Sequence, residues 1–241
     1  MRFKTLIRKY FKRGSVCVTG QRGTGKDMIM ANVAALRKEP YVSNVDYAAD
    51  GSEFHQLNIH DLCMNGMTYK DLLEGKIRKF RYAYPEGADI YISDIGIYFP
   101  SQYCNELNKH FASVPMFLAL SRQIANCNVH LNTQNLGRAW DKFREQSDIY
   151  IMCERCIVFF NGRLVLQSII LYDRADSCQA RVRPCRVRKG RGREAKAQVE
   201  IYRDNFYNQH GKVERKWLFY RNRSNYDTRY FKKLLIEEDP T

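Results

Sequence analysis

The residues best suited to chemistry lie early in the chain, in the run Gly20-Gln21-Arg22-Gly23-Thr24-Gly25-Lys26. The spacing is G-x-x-x-x-G-K, the pattern of a loop that wraps the phosphates of a nucleotide. Its glycines let the backbone curl so that N–H groups converge on phosphate oxygens. Lys26 is long enough to reach the β- and γ-phosphates. The next position normally carries a Ser or Thr hydroxyl for Mg2+; here it is Asp27. A carboxylate is also a ligand for a hard cation, but it sets negative charge beside an anionic ligand. Thr24 offers a hydroxyl from within the loop, at a position that does not match the usual one.

A nucleotide site of this kind needs a second acid at the end of an apolar strand, and Ile90-Tyr91-Ile92-Ser93-Asp94 supplies it. Asp94 is therefore the candidate to hold magnesium, with Asp27 as the other candidate metal ligand. Many hydrolysing proteins place Glu directly after this Asp to polarise the attacking water; here that residue is Ile95. Glu106 is a weak substitute, better read as an exposed helix carboxylate. A third element, Asn132-Thr133-Gln134, ends a later strand. Gln134 is the first candidate to orient water or sense the γ-phosphate, and Asn132 the second. Arg122, on the preceding helix, is a candidate arginine finger directed at a neighbouring subunit, or else a surface ion-pair partner. The catalytic candidates are thus Lys26, Asp94, Gln134 and Arg122.

These positions presuppose elements that hold them. Ser15 to Thr19 reads as a buried strand, and Lys26 to Arg37 as a helix packed on a sheet and ended before Pro40. Further strands are expected at Tyr41–Val45, Asp89–Ser93, Asn128–Thr133, Ile149–Cys153, Ile157–Phe160 and Leu164–Tyr172. Helices are expected at Thr68–Lys76, Gln102–Phe111, Pro115–Ala125 and Arg138–Arg144, and 46–67 reads as irregular. Strands alternating with helices, followed by consecutive strands, specify an α/β fold: a mainly parallel sheet flanked by helices, with an antiparallel strand extension. In such a sheet the carboxyl ends of the strands converge on the ligand crevice.

The chain has 241 residues, with 40 Lys+Arg against 26 Asp+Glu and a net charge of +14. The charge is concentrated at the ends: residues 1–13 carry 6 basic and no acidic residues, and 174–241 carry 18 basic and 9 acidic. The body between them is close to neutral. This divides the chain into a basic N-terminal segment (1–13), a nucleotide-binding domain (14–175), a basic linker (176–197) and a basic, aromatic C-terminal segment (198–241). The basic ends suit nucleic-acid phosphates or anionic lipid headgroups. In the last segment Tyr202, Phe206, Tyr207, Trp217, Phe219, Tyr220, Tyr226, Tyr230 and Phe231 could stack on unpaired bases or form a small core of their own. No apolar run approaches the roughly 20 residues of a membrane-spanning helix, and no apolar region follows the basic N-terminus, so the expectation is an intracellular, non-spanning chain. Cys153 and Cys156 form C-x-x-C, followed by Cys178 and Cys185, but the second spacing is wrong for a common zinc ribbon, and buried thiols are the favoured reading.

Several blocks taken in order resemble the zonular occludens toxin family, the assembly ATPases of filamentous phages. They are GQRGTGKD, DIYISDIGIYFPS, LALSRQIANCNVHLNTQN, DKFREQSDIYI and, near the end, SNYDTRY. The resemblance covers residues 12 to 175 and more loosely the C-terminus. It implies a P-loop ATPase that uses ATP and Mg2+, assembles as a homo-oligomeric ring and moves single-stranded phage DNA together with coat or assembly proteins. Gly20, Gly23, Gly25 and Lys26 match the nucleotide loop, Asp94 the magnesium acid and Gln134 the sensor. The family's membrane span after the ATPase domain has no counterpart in this sequence. The implied protein is either a short form docked peripherally at the host inner membrane or a packaging protein of the host cytoplasm. Asp27 and Ile95 support nucleotide binding more firmly than turnover, and keep open a nucleotide-gated DNA-binding protein. A small-molecule kinase is the other rival, though it leaves the basic C-terminus unexplained.

Overall fold

A computed structural model describes residues 1–12, 14–49, 51–64, 69–76, 78–172 and 213–223. Eight strands form one sheet: β1 Val16–Gly20, β2 Tyr41–Ser43, β3 Phe54–Gln56, β4 Asp89–Ile92, β5 Val129–Thr133, β6 Ile149–Phe159, β7 Leu164–Tyr172 and β8 Val213–Arg221. Their order is β3-β2-β4-β5-β1-β6-β7-β8. The strands from β3 to β6 in that order run parallel, and β7 and β8 are added antiparallel. The α/β class with an antiparallel extension is thus as the sequence specifies. The central strands β1, β4 and β5 are buried at every position, as their near-continuous apolar sequences require when helices cover both faces.

Among the described residues seven helices accompany the sheet: α1 Phe3–Leu6, α2 Lys26–Arg37, α3 Tyr69–Leu73, α4 Ile95–Tyr98, α5 Cys104–His110, α6 Val114–Ala125 and α7 Asp141–Arg144. The bounds of α2 are those read from its apolar periodicity. Pro115 sits in the first turn of α6, where its missing N–H costs nothing. One face of the sheet is covered by α1, the π-helical turn Ile7–Phe11 and α2, which bury Phe3, Leu6, Phe11, Ile29, Met30 and Val33 against Val18, Ile151, Ile169 and Leu218. The other face is covered by α5, α6 and α7, around Phe117, Trp140 and Phe143. Each large side chain fully buried in this way contributes about 1.5–3 kcal/mol.

Four features differ from the sequence expectation. The runs Ile149–Cys153 and Ile157–Phe160, expected as separate strands, form the single strand β6, whose apolar pattern is carried across Glu154 and Arg155 by a shift of register there. Residues 1–12 are not merely a basic extension: Phe3, Leu6, Ile7 and Phe11 are buried while Arg2, Lys4, Arg8, Lys9 and Lys12 are exposed. That spacing is the 3.6-residue period of an amphipathic helix. Within 46–67, read as irregular, the short strand β3 pairs with β2 and a 3-10 turn covers Ile59–Leu62. Part of the C-terminal segment joins the sheet as β8, burying Leu218 and Tyr220. The linker 176–197 and residues 198–212 and 224–241 lie outside the described residues. Among the described residues no helix is long and apolar enough to cross a membrane.

Candidate functional site

The loop begins where β1 ends at Gly20 and closes where α2 begins at Lys26. Thr24 fastens its turn, donating both its N–H and its hydroxyl to the Gln21 carbonyl. Gly25, the residue before α2, has φ 80°, a conformation that side-chain-bearing residues rarely adopt. A Cβ on Gly25 would lie 2.8 Å from Cys156 Sγ and 2.8 Å from Gln167 Nε2. Glycine is therefore required there twice, by dihedral and by space. At Gly20 a Cβ would meet the Cys153 carbonyl at 2.7 Å.

The loop is braced from behind by the antiparallel strands. Gln167, fully buried on β7, donates from Nε2 to the carbonyls of Thr24 (2.8 Å) and Gly25 (3.0 Å). Its Oε1 accepts from the Tyr220 hydroxyl on β8 at 2.9 Å. The middle of α2 is held the same way: Asn32 donates to Asn222 Oδ1 at 2.8 Å and accepts from the Arg223 N–H at 2.7 Å. These bonds turn two loop carbonyls away from the crevice and fix which groups of the loop face it.

In front of the loop lies a charge cluster. Lys26, 6% exposed, donates to Asp27 Oδ2 at 2.8 Å and lies 3.4 Å from Asp94 Oδ1. Asn132, buried at the end of β5 between β1 and β4, ties the end of β4 to the first turn of α2. Its Nδ2 donates to Asp27 Oδ1 (2.7 Å) and Ser93 Oγ (3.1 Å), and its Oδ1 accepts from the Asp94 N–H (2.8 Å). Asn44, just past β2, clamps Ser93 through its carbonyl (3.0 Å) and N–H (2.7 Å). Asp94 itself is left-handed, φ 51° and ψ 47°, where β4 turns into α4. Such a conformation costs about 1–3 kcal/mol and persists only when its surroundings enforce it; the Asn132 bond is part of that enforcement.

Burial acts to lower the pKa of the Lys26 ammonium, but Asp27 and Asp94 outweigh it and the net shift is upward. For Asp94, burial pushes the carboxyl above its ordinary range; Lys26 opposes this and Asp27 adds to it. Asp94 Oδ1 is buried without a hydrogen-bond partner among the described residues. A carboxylate oxygen in that condition, beside a second carboxylate, is the donor set a hard divalent cation takes. The residues fit a hard divalent cation, for which Asp27 and Asp94 are the two carboxylates at hand.

The structure brings Lys26, Asp27, Asp94 and Asn132 together, and it leaves other candidates outside. Gln21, Arg22 and Gly23 lie exposed on the loop, with Thr24 partly buried. Gln134, the first choice for the sensor, is exposed beyond the end of β5, while Asn132, the second choice, occupies the centre. Strand alternation explains the exchange: β5 ends at Thr133, so Gln134 has left the sheet that would aim it. Arg122 donates to Asn128 at 3.1 Å. Asn128 precedes β5, so Arg122 sits at the opposite strand edge, roughly 13 Å or more from the loop by strand rise. It is set away from the Gly20–Lys26 loop of its own chain. Glu106 is exposed and paired with Lys109, and Ile95 is fully buried. Cys153 and Cys156 back the loop as free thiols, both pushed up by burial. Among the described residues no group of three or more His, Cys, Asp or Glu could hold a metal, and Cys178 and Cys185 lie outside them. Sequence reasoning missed Gln167 and Tyr220. The available signal was a glutamine inside the apolar run Leu164–Leu171.

No protein-family model and no curated protein matches the sequence. Solved structures similar to the chain include the N-terminal domain of zonular occludens toxin from Neisseria meningitidis, at 10% identity and TM-score 0.45, covering 90% of this chain and 96% of that one. The genome packaging NTPase of Sulfolobus turreted icosahedral virus 2, in complex with AMP, aligns at 15% identity and TM-score 0.39, over 66% of this chain and 92% of that one. The ATPase DotB of Legionella pneumophila aligns at 11% identity and TM-score 0.37, over 84% and 62%.

Proposed function

We propose that the chain is an ATP-binding motor of the phage assembly or DNA packaging kind, hydrolysing the β–γ phosphoanhydride while it moves single-stranded DNA. The observation that carries the reading is the convergence of Lys26, Asp27 and Asp94 at the carboxyl ends of β1 and β4, with Lys26 Nζ within 3.4 Å of both acids. The Gly20–Asp27 backbone and the N-terminal end of α2 bind the triphosphate. Lys26 passes from the carboxylates to the phosphate oxygens, and Asp27 and Asp94 turn to the cation. Asp27 and Asp94 would hold Mg2+, which would supply neutralisation of the phosphate charge. Asn132 keeps both acids oriented through this exchange, because it bonds the side chain of one and the backbone of the other. In a homo-oligomeric ring, Arg122 acts on a neighbouring subunit's nucleotide. Coat or assembly proteins and the inner-membrane surface are further partners in this reading, in the host cytoplasm.

The test is an ATPase assay with and without single-stranded DNA, on wild type and Lys26→Ala. DNA-stimulated hydrolysis that disappears in Lys26→Ala supports the motor. A second reading is favoured by one observation: the residue after Asp94 is the buried Ile95, so no carboxylate stands where water would be polarised. ATP binding without turnover in wild type would select that reading, a nucleotide-gated DNA-binding protein. Phosphate transfer to a metabolite without any response to DNA would select a kinase instead.

A further inference from the structure

The strand that braces the nucleotide loop has a second face. On β8, alternate residues point opposite ways: Leu218 and Tyr220 are buried toward α2, whereas Arg215, Trp217, Phe219 and Arg221 are exposed on the reverse. Trp217 is 48% and Phe219 61% exposed. Bulky rings in those positions are out of place on a solvated strand unless something covers them. The register widens the face across the hairpin. Phe219 lies level with Leu166 and Ile157, Arg221 with Leu164 and Phe159, and Trp217 with Ser168 and Arg155. The free edge of β8 is partly used, since the Met1 amino group donates to the Trp217 carbonyl and Arg2 bridges to Phe219. The face, more than the edge, is what remains open.

Charge identifies the occupant. Residues 149–172 and 213–223 contain Arg155, Arg163, Arg215, Lys216, Arg221 and Arg223 against Glu154 and Glu214. Glu154 pairs with Arg215 and Glu214 with Lys216, which leaves Arg155, Arg163, Arg221 and Arg223 without a carboxylate partner among the described residues. A second copy of the chain would set like-charged arginines against each other. A partner that is both anionic and flat-ringed fits instead. Residues two apart on a strand are about 6.8 Å apart, roughly the span of two stacking steps in a nucleic-acid strand.

We propose that the outer face of β8 is a platform for single-stranded nucleic acid, on which Trp217 and Phe219 stack against bases and Arg155 and Arg221 contact the phosphates. The proposal rests on the DNA reading above and narrows it to one surface. Tyr220, grouped with these aromatics by sequence, belongs to the opposite face, where its hydroxyl holds Gln167 and through it the nucleotide loop. One strand therefore carries the strand-binding rings on one side and a loop brace on the other.

The experiment is a titration of the full chain with an oligothymidylate, without nucleotide, read by tryptophan fluorescence. The chain has two tryptophans and Trp140 is fully buried, so quenching reports on Trp217. The expected result is quenching in wild type, with Trp217→Ala (followed by anisotropy) and Phe219→Ala each weakening affinity about 5- to 150-fold, the range for loss of one base stack. Trp217→Phe should retain most of the affinity. Arg221→Gln should lower the slope of log affinity against log salt by about 0.7, one single-strand phosphate contact. Phe160→Ala, exposed at the β6–β7 turn but off β8, should bind as wild type. Wild-type affinity in Trp217→Ala and Phe219→Ala, with melting temperatures unchanged, overturns the proposal. So does binding of anionic phospholipid vesicles but not the oligonucleotide, or dissociation of a self-assembled form by these variants with DNA affinity intact. Because nucleotide is absent, failure of ATP binding does not touch this result, and failure here with ATP binding intact removes the platform alone.

Discussion

Replacing Asp27 by serine tests whether the anionic loop makes nucleotide binding depend on a divalent cation. The cluster of Lys26, Asp27 and Asp94 carries one positive and two negative charges, so without metal it opposes a triphosphate. A phosphate oxygen held by Lys26 sits about 2.8 Å from its ammonium, the usual charge-assisted distance. Asp27 Oδ2 is itself 2.8 Å from that ammonium, so the two anions are at most about 5.6 Å apart. With an effective dielectric near 20, suited to a side chain 25% exposed, one unit of repulsion there is about 3 kcal/mol or more. That corresponds to roughly 100-fold in affinity. Asp27→Ser should therefore strengthen ATP binding in EDTA by about two orders of magnitude, and weaken or leave unchanged binding in excess Mg2+, where a charged ligand is exchanged for a hydroxyl. A fluorescent ATP analogue titrated into wild type and variant under both conditions reads the four constants. Equal wild-type affinity in Mg2+ and EDTA, or the same ratio in the variant, would refute the argument that Asp27 acts on the phosphates through its charge.

Three other outcomes follow from the geometry. Gln167→Leu strips the Thr24 and Gly25 carbonyls and the Tyr220 hydroxyl of their partner, each orphan costing about 1–3 kcal/mol. ATP affinity should fall tenfold or more, with Tyr220→Phe intermediate, and a lowered melting temperature with unchanged affinity would reduce Gln167 to a structural role. Asn132→Leu frees both acids, so calorimetry should show weaker Mg2+-dependent ATP binding although no atom of the nucleotide's nearest charges is removed. His130 is fully buried between Phe11 and Tyr91, with no hydrogen-bond partner at either ring nitrogen among the described residues. Burial holds its pKa well below the ordinary value, with Arg37 and Arg122 adding to the shift. The unfolded chain therefore binds the proton that the native state refuses, and stability is lost as pH falls below about 6.5, by about 1.4 kcal/mol per pH unit from this group. Melting temperatures of His130→Leu between pH 7 and 5 should show that much less decline than wild type.

The nucleotide loop, its helix and the acid of β4 are legible in the sequence because they are local: glycine spacing, a strand on one side and a helical period on the other. Lys26, Asp27 and Asp94 could be picked out as candidates for that reason, and the fold brings both acids within 3.4 Å of Lys26 Nζ. What was hidden depends on which strand lies next to which. Nothing in Asn132 or Gln134 alone says that β5 is inserted between β1 and β4, and it is that neighbourhood which hands the central position to Asn132. That Arg122 lies beside Asn128 at the amino-terminal edge of the sheet, away from its own chain's loop, likewise depends on how α6 packs. The buried face of residues 1–12 was legible in principle, through Phe3, Leu6, Ile7 and Phe11, but was masked by five basic residues.

The deepest omission was β8, and its cause is instructive. Its sequence, VERKWLFYR, alternates well enough to be a strand, yet it lies 40 residues beyond β7 in a region whose charge reads as a tail. Only pairing with β7 shows that Tyr220 and Trp217, three residues apart, do different work. The inner ring reaches the nucleotide loop through a single glutamine, so a shift of β8 cannot occur without changing what holds the Thr24 and Gly25 carbonyls. If a strand of DNA engages the outer rings, the shortest physical path from it to the triphosphate runs through Tyr220 and Gln167. The coupling between the two sites is then reciprocal: DNA should alter ATP affinity by the same factor that ATP alters DNA affinity, and Tyr220→Phe should reduce both factors together while leaving each ligand able to bind alone.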